Sequence, residues 1–148
     1  MAKKIQSNLF VGSIISSLIA AMLLLLEDFA GWYNYSSYAE IWGWVGFSLN
    51  RPVSLLVFGA AAVILFFCTY VSYLKLSSKP VPVGWVKKAF YGSAGVTALS
   101  VIGGVYFIVD MMITDPTDWW LGPAFYAGII GGGLTALFFH LALNETKR

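Results

Sequence analysis

The sequence predicts an all-α integral membrane protein, a four-transmembrane-helix antiparallel bundle with cytoplasmic N- and C-termini. Three observations predict it. The chain is 59% hydrophobic and only 11% charged, with a mean hydropathy of +0.77, where a soluble domain is about a quarter charged. Four apolar stretches at positions 9–26, 52–74, 89–113 and 123–143 each approach the ~20 residues needed to cross a hydrocarbon core. The charges between them sort by side. Lys3, Lys4, Lys75, Lys79, Lys87, Lys88, Lys147 and Arg148 fall on one side with Glu145, while Glu27, Asp28, Glu40, Asp110, Asp115 and Asp118 fall on the other with Arg51. Basic loops resist translocation, so the lysine-rich side is expected to be cytoplasmic, in a cell membrane. A chain of 148 residues has room for this one domain.

The first span follows Lys3 and Lys4, as a secretory signal would. Its apolar run is long for a signal core, and Glu27-Asp28-Phe29-Ala30 offers no small-x-small cleavage site, so a retained span is expected. Gly12, Ser16 and Ala20 recur every four residues and share one helix face, where a neighbour can approach closely. The outer loop at 27–51 carries Phe29, Trp32, Tyr33, Tyr35, Tyr38, Trp42, Trp44 and Phe47. Rings with polar tips favour the headgroup layer. Ser37-Tyr38-Ala39-Glu40 has capping-box spacing, and Tyr38, Ile41, Trp42 and Val45 then fall on one side, which predicts a short interfacial helix.

Pro52 suits the first turn of the second span, and Gly59 with Ala60–Ala62 makes another small patch. The cytoplasmic loop at 75–88 contains Pro80, Pro82 and Gly84, which stop a helix, and Trp85, which suits the headgroups. In the third span Gly92, Gly95, Gly103 and Gly104 punctuate the helix, and Ser100 and Gly104 keep the four-residue spacing. The second outer loop, 114–122, opens on a turn at Asp115-Pro116 and holds Trp119-Trp120. The fourth span carries Gly128 and Gly132 as a GxxxG pair.

Chemistry is sparse. The central thirds of the spans hold no charged residue; Ser16, Ser17, Thr69, Thr97, Ser100 and Thr135 are their notable polar groups. Asp110 lies near the outer end of span three, and as an ionisable group near a membrane it is, with Arg51 and Glu40, the candidate polar site; an Asp110–Arg51 or a Glu40–Arg51 ion pair is expected. His140 is the only histidine and lies opposite the acids, so one chain cannot assemble a Ser-His-Asp set, and metal chemistry through His140 would need other chains. Cys68, the single cysteine, is expected to be a buried apolar residue. There is no GxGxxG, P-loop or HExxH. No cofactor, metal or nucleic acid is expected. Asn34-Tyr35-Ser36 is a glycosylation sequon on the outer side.

Trp32 and Trp42-Gly43-Trp44 in a larger first outer loop, with a shorter second loop and both termini inside, resemble the plan of the claudin-like four-span proteins. The two loop cysteines of that family are absent from this chain, and membership is not inferred. The residues therefore point to a non-catalytic structural or accessory membrane protein. Its expected packing residues are Gly12, Ser16, Ala20, Gly92, Gly95, Ser100, Gly104, Gly128 and Gly132; its expected outer contacts are Trp32, Trp42, Trp44, Trp119 and Trp120. The expected partners are the bilayer and other membrane chains or a second copy. The alternative is a small homo-oligomeric channel or transporter whose outer acids recruit cations.

Overall fold

Inside a bilayer every backbone N–H and C=O must find its partner within the protein, and a long apolar stretch does this as a helix. The structure, a computed structural model, describes residues 2–34, 37–42 and 52–145. It is mostly helical, with four helices long and apolar enough to cross a membrane. These are α1 (Ala2–Leu26), α2 (Pro52–Leu76), α3 (Val83–Thr114) and α4 (Pro123–Glu145). α4 starts with Pro123 in its first turn and carries a π-helical turn at Ala127–Gly131. That turn, Ala127-Gly128-Ile129-Ile130-Gly131, is followed directly by Gly132 and Gly133, so four glycines ease the widened backbone around its two isoleucines.

The link between α2 and α3 is tighter than the expected loop at 75–88. α2 ends in a Schellman motif: Lys79 N–H donates to Leu74 O at 3.0 Å and Ser78 N–H to Lys75 O at 3.2 Å. Ser78 takes the left-handed conformation, φ 55°, that such an end requires. Lys75 Nζ donates to Val81 O across the turn at 3.2 Å. α3 then begins at Val83, directly after Pro82. Proline stops a helix behind it but suits the residue that leads into one. The segment from Trp85 to Lys88, expected in the loop, is therefore helical.

The first connection also departs from expectation. Residues Asp28–Asn34 form β1 and Ser37–Trp42 form β2; Asp118–Leu121 form β3, in a sheet of order β2-β1-β3, antiparallel throughout. The interfacial helix expected from Ser37 through Val45 is a strand as far as Trp42, and Val45 lies outside the described residues. A capping box satisfies two N–H groups, whereas pairing with β1 satisfies the backbone groups along one whole edge of the strand, and Tyr38, Ile41 and Trp42 are residue types that favour a pleated surface.

Two apolar cores result. Near the sheet, Phe29 enters between α2 and α4, with its ring 5.0 Å from Phe58 and 5.5 Å from Phe125. Ala20, Ala21, Leu24, Leu65, Val96 and Ala124 pack around it. At the opposite end Phe10, Cys68, Val71, Val86, Ala89 and Phe139 form the second core.

Candidate functional site

Hydroxyls are the polar resource of the spans, and the helix period decides where they point. Ser13 and Ser17 on α1, Thr69 and Ser72 on α2, and Ser93, Thr97 and Ser100 on α3 recur at steps of three or four, so each set lies on one stripe. Two of these stripes meet. Ser72 Oγ donates to Ser13 Oγ at 3.0 Å, and Ser17 Oγ and Thr69 Oγ1 share a hydrogen bond of 2.7 Å. On the adjacent face of α1, Ser16 Oγ and Thr135 Oγ1 of α4 share one of 2.8 Å. Each of Ser17, Thr69 and Thr135 also has a carbonyl in reach one turn back, that of Ser13, Leu65 and Gly131 respectively. Ser13, Ser17, Ser72, Ser93 and Thr135 are fully buried. Among the described residues no buried side-chain nitrogen or oxygen lacks a partner.

The third stripe meets glycines. A Cβ on Gly128 would run into Ser100 Oγ, and one on Gly132 into Thr97 Oγ1. Gly104 receives the ring of Phe125, Gly92 abuts Ile64, Gly131 abuts Ala20 and Gly12 receives the ring of Phe138. Gly12, Ser16, Ala20, Gly92, Ser100, Gly104, Gly128 and Gly132 thus all have close neighbours within the same chain, whereas Gly95 faces open space.

The sheet caps these helices at one end. Trp120 pairs with Gly31 across β1 and β3, its indole fills the space above that glycine, and its Nε1–H donates to Asp28 Oδ2 at 2.7 Å. Gly122 leaves room for the Asp28 carboxylate and donates its N–H to Phe29 O. On the other face Trp32 pairs with Trp119, and both rings lie just over 6 Å from Phe107 of α3, at 6.2 and 6.1 Å. Trp32 and Trp120 are partly buried and Trp119 is exposed. Trp44 and Arg51 lie outside the described residues, as do the side chains of Asn34, Glu40 and Trp42.

The remaining candidates stand apart. Asp110 is exposed near the sheet end of α3, where its carbonyl accepts a bond from Thr114 Oγ1 at 2.8 Å. His140 is exposed toward the other end of α4, with Nε2 3.1 Å from Asn144 Nδ2 and its ring 5.7 Å from Phe90. Cys68 is buried, with Sγ 3.4 Å from Ala89 O. Among the described residues no three His, Cys, Asp or Glu side chains gather as metal ligands do.

Between α1 and α4 lies an apolar groove of about 590 Å³. Ala20, Ala127 and Gly131 form its small-residue floor, and Ile15, Ile19, Tyr126 and Ile130 stand exposed along it. Ser16, Ser17, Thr69 and Thr135 stand out in the sequence; Ser72, Ser93, the Asp28–Trp120 bond and this groove do not. Hydroxyl recurrence at helix period was the available signal for the two serines. No local signal joins Asp28 to a tryptophan on a strand so far along the chain. Comparison with protein families, curated proteins and solved structures finds no match.

Proposed function

We propose that this chain is a non-catalytic structural or accessory subunit of a cell membrane, an antiparallel four-helix bundle with its lysine-rich end and both termini in the cytoplasm. The observation that carries this reading is the use made of the polar side chains. The spans' hydroxyls are taken up in bonds between helices or to carbonyls one turn back, and the sheet-end indole and carboxylate bind each other. Such groups hold a scaffold together; a reacting centre needs groups aimed at a substrate. What the scaffold presents outward is apolar: Leu56, Val63, Ile102, Val105, Tyr106 and Met112 are among its most exposed side chains. These suit acyl chains or the helices of partner proteins, and the aromatic sheet offers contacts outside the membrane.

Gentle solubilisation from the native membrane, followed by native mass spectrometry, tests this. A particle containing other polypeptides beside the 16.2 kDa chain is the expected result. A particle built from this chain alone, conducting ions after reconstitution, would replace the accessory reading with the channel.

A further inference from the structure

We propose that the groove between α1 and α4 holds one acyl chain of a phospholipid from the sheet-side leaflet, and that Glu27 takes the ammonium of its headgroup. Length argues for a lipid tail over a transmembrane helix. On α1 the groove runs from Leu23 down to Gly12, about 16 Å at 1.5 Å per residue. That is close to half of a ~30 Å hydrocarbon core, the depth of one leaflet. At its lower end the ring of Phe138 lies directly against Gly12 and brings the two helices together. A spanning helix would need a channel of about twice this length; a single tail ends where the groove ends.

Chemistry argues the same way. The groove walls are apolar, and Ser16, their hydroxyl on α1, is already bonded to Thr135. The mouth is different. Glu27 N–H donates to Leu23 O at 2.9 Å, a helix-type bond just past the end of α1 that sets Glu27 one turn above the last groove residue of α1. Tyr126, half exposed, lines the opposite lip. The sheet end of the described residues also carries Asp28, Asp110, Asp115 and Asp118. This field repels a headgroup of net negative charge and favours one whose outermost group is an ammonium. A primary ammonium also donates charge-assisted hydrogen bonds to a carboxylate. The fitting occupant is therefore a zwitterionic, ethanolamine-type phospholipid.

The test uses the full chain in mild detergent, with bound lipid counted by native mass spectrometry. Dioleoyl phosphatidylethanolamine and dioleoyl phosphatidylglycerol serve as matched probes. One retained lipid is expected, with the ethanolamine form favoured about fivefold, the size of an exposed charge contact. Glu27→Gln should cut that preference to about twofold, the part owed to the neighbouring acids, and leave the occupancy. Ile19→Trp with Ile130→Trp, at exposed groove positions, should empty the site about tenfold at an unchanged unfolding temperature. A preference undiminished by Glu27→Gln, or lipid surviving the filled groove, would overturn the proposal. A photocrosslinker at Ile19 that captures another polypeptide from the native membrane would overturn it too, and assign the groove to a partner helix.

Discussion

The α1–α2 seam and the α3–α4 seam solve the same problem by different means. The first is tied by hydroxyl pairs, Ser13 with Ser72 and Ser17 with Thr69. The second is a set of close fits, with Gly104 under Phe125, Gly128 against Ser100 and Gly132 against Thr97. Between membrane helices a hydrogen bond adds on average about 0.6 kcal/mol, because the separated helices also find partners for their polar groups. A steric fit has no such substitute, since an added side chain must displace a neighbour. The hydroxyl seam should therefore tolerate single changes that the glycine seam does not.

The largest expected effect lies in the glycine seam. Gly104→Leu drives a branched side chain into the Phe125 ring and should cost about 3 kcal/mol or more, read as a lower unfolding temperature in detergent. A near-normal unfolding temperature would show that Phe125 moves aside freely and would erase the contrast. Next comes the cap, which stands outside both seams. Trp120→Phe shortens the ring that covers Gly31 and leaves the part-buried Asp28 carboxylate without this donor; about 1–3 kcal/mol should be lost. Ser78→Gly, in the turn between α2 and α3, sharpens the scale from the other direction. It relieves a left-handed serine and should raise stability by about 1 kcal/mol. The smallest effect belongs to the hydroxyl seam. A double-mutant cycle with Ser17→Ala and Thr69→Val should give a coupling of about 0.6 kcal/mol. A coupling several times larger would place the two seams on one footing.

The four long apolar helices were legible because an apolar run of that length has one structural outcome in lipid. Their seams were half legible. Gly128 and Gly132 keep a four-residue spacing that suits close approach, but spacing alone does not say whose helix approaches; in the fold side chains of α3 of the same chain lie against both. The cap was least legible. Ser37 to Glu40 satisfies a local helix rule, and the competing partner, β1, is flanked on its far side by β3, which comes from a distant segment. A local rule cannot weigh a ladder supplied from elsewhere in the chain. The π-helical turn likewise follows from packing: Gly131 fits against Ala20, and Thr135 bonds both Ser16 and the Gly131 carbonyl.

The claim that these small residues bind the chain to itself is tested most directly by Gly128→Leu with Gly132→Leu. Folding and particle mass should be measured on the same sample. If the seam is internal, the purified chain loses its cooperative unfolding transition, since Ser100 and Thr97 leave no room for either side chain. If the chain instead unfolds at its normal temperature while the native particle falls apart, the glycine face joins separate chains, and the internal seam is refuted.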